Sequence, residues 1–185
     1  MSWLEERLPE YFSQFDTATA RMHALLEALP AAKSVEYGYI QGIGPAQQAA
    51  ALLCRALLKF SGSEEMRGIA LEIQHSRLRE LAEVRELRLF LQDITGRARD
   101  ASSFTQARGL LVKRLGAALD SAEECGSVDR DYAAIMVPLH DYAIRLCELT
   151  MKYDLQPVLL PQVRAVRRAH LQTRRSLTLL YPNSR

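Results

Sequence analysis

The sequence predicts an all-α fold, and two observations support that prediction. Apolar residues recur at helical spacing along nearly the whole chain, and no segment alternates apolar and polar residues as a strand would.

The chain also repeats itself. A shift of 93 residues, without a gap, aligns Ser34 with Ser127, Tyr39 with Tyr132, Pro45 with Pro138, Cys54 with Cys147, and Leu78 with Leu171. A period of this length indicates two copies of one supersecondary unit. We therefore predict an antiparallel helical bundle of two tandem three-helix repeats, residues 1–93 and 94–185, packed as one compact body.

The periodicity and the turn residues predict three helices in each repeat. These helices cover residues 9–29, 36–60 and 64–92 in the first repeat, and 103–123, 128–153 and 158–181 in the second. Residues 93–102 are expected to link the repeats. Ser34, Ser63 and Ser127 each precede a predicted helix and are candidate N-caps. Pro45 and Pro138 lie inside the second helix of each repeat, where we expect kinks.

Composition limits the classes of function. The chain has 185 residues and a net charge of +2, which by itself does not indicate a nucleic-acid partner. No run of apolar residues is long enough for a membrane span, and the first residues are acidic where a secretory signal would be basic. Its three cysteines cannot all pair within the chain, and Cys54 and Cys147 are expected to be buried and unpaired. We therefore expect a cytoplasmic protein.

Soft side chains line one edge of the apolar face of the predicted helix 128–153. They are Met136, His140, Cys147 and Met151. Thioether, imidazole and thiol groups suit copper, especially Cu(I). The alternative is ordinary packing, because methionine and cysteine commonly fill cores and a lone histidine is often a hydrogen-bonded core residue. Only Met136 and His140, one helical turn apart, could share an ion, since Cys147 lies too far along the helix.

The stretch from Tyr132 to Ile144, with Met136, Pro138 and His140, resembles the signature of the domain of unknown function 305 family, a Met-x-Pro-His-His-x-x-Ala-Ile sequence. The first repeat is similar from Tyr39 to Ala50. The resemblance implies a ferritin-like fold, usual export, and association with copper through methionine and histidine. Upstream, Met22-His23 resembles the Met-His helix that precedes the motif in the family, so both are possible further ligands, together with Met151 of the predicted helix 128–153. The paired histidines of the family are Ala46-Gln47 in one copy and Leu139-His140 in the other, so the metal site is expected to be largely lost.

Two other patterns could form functional sites. Glu72 and His75 match half of a di-iron Glu-x-x-His motif, but the helical wheel places both on the side facing solvent. The last predicted helix carries a basic face formed by Arg164, Arg167, Arg168, Arg174 and Arg175. This face could bind an acidic partner, remain solvated, or pair with Glu72, Glu80, Glu83 and Glu86 on the equivalent helix of the first repeat.

These observations favour a non-enzymatic protein with an interaction or scaffold role. The chain has no glycine-rich phosphate loop, Cys-x-x-Cys pair, nucleophile elbow or His-Glu-x-x-His motif. We expect no resident cofactor, and a protein partner or self-association rather than nucleic acid. The alternative is a weak copper or other transition-metal binding protein that uses Met136 and His140.

Overall fold

The predicted all-α class is confirmed. The computed structural model describes residues 3–91, 93–122 and 125–181, with side chains from residue 9 onward. These residues form six helices and no strand. The helices are α1 (Trp3–Glu27), α2 (Val35–Phe60), α3 (Glu64–Leu91), α4 (Ala98–Asp120), α5 (Val128–Thr150) and α6 (Leu159–Leu180). None of the helices among the described residues is long and apolar enough to cross a membrane.

Two of the three predicted serine caps are confirmed. The Ser34 hydroxyl accepts a hydrogen bond from the Tyr37 amide at 3.1 Å, and the Ser63 hydroxyl accepts one from the Met66 amide at 3.2 Å. Ser127 lies at the N-cap position of α5, as predicted, but its side chain makes no capping hydrogen bond. Asp131, in the first turn of α5, instead accepts a hydrogen bond from the Cys125 amide at 2.8 Å and fixes the preceding turn.

Two helices begin earlier than predicted. Helix α1 begins at Trp3 and continues through Pro9, and α4 begins at Ala98, inside the expected linker 93–102. Ala98, Arg99 and Ala101 are good helix formers, and Asp100 lies in the first turn of α4, where the helix dipole stabilises a negative charge. Helices α2 and α5 continue through Pro45 and Pro138, respectively.

Helices α2 and α5 lie at the centre of the molecule and pack against each other. Helix α2 also contacts α1, α3 and α4, and α5 also contacts α4 and α6. The outer helices meet as well, α1 with α4 and α3 with α6. One cluster of buried apolar side chains contains residues of all six helices. The central helices therefore place their inward polar residues far from solvent.

Candidate functional site

Five polar residues lie buried where α2, α3, α5 and α6 meet, and we call them the polar cluster. They are Gln47 of α2, Arg77 and Glu80 of α3, His140 of α5 and His170 of α6. The exposed fraction of these residues is 0% for Arg77, Gln47 and His140, 1% for His170 and 4% for Glu80. Arginine and glutamate are almost never fully buried unless they are paired. The cluster must therefore satisfy its charges internally.

The guanidinium of Arg77 and the carboxylate of Glu80 form the charged part of the polar cluster. Arg77 Nη2 lies 2.9 Å from Glu80 Oε1 and donates to the Ser76 hydroxyl at 3.1 Å. Glu80 also accepts hydrogen bonds from Gln47 Nε2 at 2.5 Å and from the Ser76 hydroxyl at 3.1 Å. Burial raises the pKa of Glu80, and the charge of Arg77 opposes that shift. The guanidinium does not lose its proton in proteins, and Gln47, Ser76 and Arg77 all donate to the Glu80 carboxylate, so these bonds describe an ion pair.

The two histidines extend this network, and their tautomers follow from it. Arg77 Nη1, which can only donate, bonds to His170 Nε2, so the proton of His170 lies on Nδ1. His170 Nδ1 then donates to His140 Nδ1 at 2.7 Å, which places the proton of His140 on Nε2. His140 Nε2 is buried and has no hydrogen-bond partner among the described residues. The network therefore runs in one direction, from Arg77 through His170 to His140.

Both imidazoles are held in the neutral form. Burial lowers the pKa of His170 well below its usual value, and the charge of Arg77 lowers it further. Burial also lowers the pKa of His140, with smaller contributions from His170, Arg77 and Arg174. Neutral rings agree with the tautomers required by the hydrogen bonds, since His170 can accept from Arg77 only when its Nε2 is unprotonated.

Two tyrosine–cysteine pairs lie among the same central helices. Cys54 Sγ is 3.2 Å from the Tyr132 hydroxyl, and Cys147 Sγ is 3.9 Å from the Tyr39 hydroxyl. The shift of 93 residues converts one pair into the other, and Arg77 and His170 are themselves 93 residues apart. The predictions that Cys54 and Cys147 are buried and unpaired are confirmed. Burial raises the pKa of each thiol to about 12.

The predicted metal ligands lie on α1 and along α5. Met136 and Met22 are buried in the core, whereas Met151 is half-buried. His23 is half-buried in α1, with its Nδ1 3.6 Å from the Glu27 carboxylate. Of the predicted ligands, His140 alone belongs to the polar cluster. Among the described residues, no group of three or more His, Cys, Asp or Glu side chains is arranged to hold a metal ion.

Sequence reasoning missed most of the polar cluster, and a usable signal was present. The buried residues of α3 are spaced at three and four along one stripe, which includes Met66, Ala70, Ile73, Arg77, Glu80 and Val84. A charged pair on such a stripe predicts a buried ion pair. The prediction that Glu80 could pair with the basic face of the last helix is therefore wrong, because Glu80 is buried and pairs with Arg77. Glu72 and His75 are exposed, as predicted.

The basic face of α6 is divided between paired and exposed residues. Arg167 donates two hydrogen bonds to Glu148, at 3.0 and 2.6 Å, and Arg174 lies 2.5 Å from Asp141. Both acidic partners belong to α5 rather than to α3. The remaining arginines of this face, Arg164, Arg168 and Arg175, are exposed. Half-exposed pairs of this kind contribute about 1 kcal/mol or less to stability.

No protein-family model, curated protein or solved structure matches this chain.

Proposed function

We propose that this protein is a non-enzymatic, ferritin-like bundle in which a hydrogen-bonded ion pair lies where related bundles hold metal. We further propose that it acts in the cytoplasm as an interaction or scaffold protein. The observation that carries the proposal is the placement of Arg77, a permanent cation, at the meeting point of four helices. A guanidinium in that place repels a metal cation and fixes the polar side chains around itself.

The positions of the polar cluster support the ferritin-like assignment. A di-metal carboxylate bundle uses one glutamate from each of two helices and a Glu-x-x-His pair, with spacing i, i+3, from each of the other two. Here single residues come from α2 and α5, namely Gln47 and His140. Helix α3 supplies Arg77 with Glu80, and α6 supplies His170 with Thr173 at the same spacing. The spacing agrees, although Thr173 is half-buried outside the polar cluster and donates its hydroxyl to the Ala169 carbonyl. Only one of the six side chains is a carboxylate.

These residues do not fit a bound transition metal. His170 uses both ring nitrogens in the network, and the Glu80 carboxylate is committed to Arg77, Ser76 and Gln47. Arg77 would have to leave before any cation could approach Glu80. We therefore infer that the cluster stabilises a specific helix arrangement.

The reciprocal tyrosine–cysteine pairs support the tandem arrangement of residues 1–93 and 94–185. If two related three-helix units pack about an approximate two-fold axis, a contact from one unit to the other must recur with the roles exchanged. The Cys54–Tyr132 and Cys147–Tyr39 pairs have this relation. We propose that the two units form one body around the shared α2–α5 contact.

One observation favours the alternative function of weak Cu(I) binding. His140 Nε2 is buried without a hydrogen-bond partner among the described residues, and Met136 precedes it by one helical turn. A Cu(I) ion could replace the Nε2 proton of His140 and take the Met136 thioether as a second ligand.

Competition of the reduced protein against a Cu(I) chelator distinguishes the two functions. We expect the wild-type protein to retain no stoichiometric copper. Retention of one equivalent that is lost in both His140→Gln and Met136→Leu would replace the scaffold proposal with the copper proposal.

A gain-of-binding variant tests the inferred origin of the cluster. Replacing Gln47 and Arg77 with glutamate supplies carboxylates at two of the inferred ligand positions and removes the competing cation. We expect Q47E/R77E to bind Co(II), with visible absorption bands and a metal-dependent rise in Tm. The control variant Glu72→Gln, on the exposed side of α3, should bind no Co(II). A folded Q47E/R77E protein without Co(II) absorption bands would contradict the ferritin-like assignment. The assignment would also be contradicted if this variant failed to fold and Co(II) did not restore its folding.

A further inference from the structure

A groove of about 580 Å³ lies between α4, α5 and α6, on the surface of the second half of the chain. Its aliphatic lining comes from Leu111, Leu115, Ala118, Val137 and Pro138. Ligand sites for small molecules commonly have volumes of about 300–1,000 Å³ and mostly apolar walls. The groove is therefore large enough for a small molecule.

The polar residues of the groove are predominantly cationic. Arg114, Arg145 and Arg174 line it together with a single carboxylate, that of Asp141. Asp141 lies 2.5 Å from Arg174 and neutralises it. Arg114 and Arg145 are exposed, and neither forms an ion pair with another described residue. Two uncompensated guanidinium groups therefore border an aliphatic groove.

Tyr142 adds to the apolar surface of the groove. It is 3% exposed, and its hydroxyl donates a hydrogen bond to the Gly42 carbonyl at 3.2 Å. Because the hydroxyl is already used, the residue offers a ligand mainly its ring. The same hydrogen bond ties α5 to α2, so this wall of the groove is fixed by the core.

The charges of the groove are particular to the second half of the chain. The shift of 93 residues relates Arg145 to Leu52 and Arg174 to Leu81, while Arg114 corresponds to Arg21. A basic groove is therefore not a general feature of the repeated sequence. Arg21 provides a matched residue that is exposed on α1 and does not line this groove.

We propose that this groove binds a single-chain aliphatic carboxylate, with the acyl chain along the α4–α5 wall and the carboxylate between Arg114 and Arg145. Guanidinium groups match carboxylates in charge and in hydrogen-bond geometry. The aliphatic lining supplies the contact that a simple anion could not use. This binding site lies outside the polar cluster and does not depend on the proposed scaffold role.

Isothermal titration of the full chain with decanoate tests the site. We expect one molecule of decanoate to bind per chain, with acetate and decyltrimethylammonium binding at least about tenfold more weakly, a difference of about 1.4 kcal/mol. Equal affinity for acetate would indicate a simple anion site, and equal affinity for decyltrimethylammonium would indicate nonspecific apolar binding. Either result, or no binding of decanoate, would overturn the proposal.

Variants locate the binding site on the protein. Arg114→Gln and Arg145→Gln should each weaken decanoate binding about fivefold to tenfold, because each removes one charge-assisted contact at an exposed position. Arg21→Gln should bind as the wild type does. Ala118→Trp should block the groove without changing its charge, and should abolish binding. Unchanged affinity in both arginine variants, or in the tryptophan variant, would place the ligand elsewhere and refute the assignment.

Discussion

The two neutral histidines of the core predict that this protein loses stability steeply in acid. Burial and neighbouring positive charge lower the pKa of both His140 and His170 well below the usual value. In the unfolded chain each ring protonates near its ordinary pKa of about 6.5. Below that pH the unfolded chain binds one proton on each of these two rings, whereas the folded protein binds neither. The contribution to stability is therefore complete above about pH 6.5 and is lost as the pH falls toward the folded-state values.

The size of the effect follows from the number of groups. Each histidine contributes up to about 1.4 kcal/mol per pH unit, so the pair contributes up to about 2.7 kcal/mol per pH unit below about pH 6. The free energy of unfolding of an ordinary domain is about 5–15 kcal/mol. A fall of one or two pH units therefore removes a large part of that free energy. The hydrogen bonds make the coupling direct, because protonation of His170 would remove the acceptor for Arg77.

Urea unfolding followed by circular dichroism, at several values between about pH 7.5 and about pH 5, measures this dependence. His140→Gln introduces the residue that occupies the equivalent position, Gln47, and should reduce the slope by about half. His75→Gln, at an exposed position on α3, is the control and should leave the slope unchanged. A wild-type free energy of unfolding that stays constant over this range, or equal slopes in the two variants, would refute the argument.

Three further predictions concern the core and its surroundings. Glu80→Gln should lower the free energy of unfolding, measured in urea, by about 3–5 kcal/mol, because it leaves the Arg77 charge buried and unpaired. The double variant with Arg77→Met should recover most of this loss. Gly38→Ala should lower the free energy of unfolding by about 1–3 kcal/mol, because a methyl group there would lie 2.8 Å from the Phe104 ring. Gly109→Ala, on α4 with no atom nearby, should instead raise Tm. In the native protein an aqueous alkylating reagent should label Cys125 within minutes and the two core thiols only after unfolding, which mass spectrometry can measure. Equal losses in Glu80→Gln and the double variant, a stabilising Gly38→Ala, or fast labelling of all three thiols would contradict these predictions.

Helical periodicity predicted the six helices, and the serine caps fixed two of their starts within a residue. The polar cluster was harder to predict, because charged residues are ordinarily assigned to the solvent side. Arg77 and Glu80 are buried only because Ser76, Gln47 and His170 converge on them from three helices. That convergence is a property of tertiary packing. The groove likewise depends on which side chains fill the space between three helices, and no spacing within one helix specifies it.

The contact between Arg77 and His170 has a consequence for how the two halves of the chain recognise each other. These residues occupy equivalent positions, 93 residues apart, yet they touch. If both halves carried arginine there, two guanidinium groups would meet in a buried interior, where like charges repel more strongly than in water. If both carried histidine, Glu80 would lose its cationic partner. A self-paired assembly of the first half alone would therefore place two Arg77 side chains against each other and would be disfavoured at its centre.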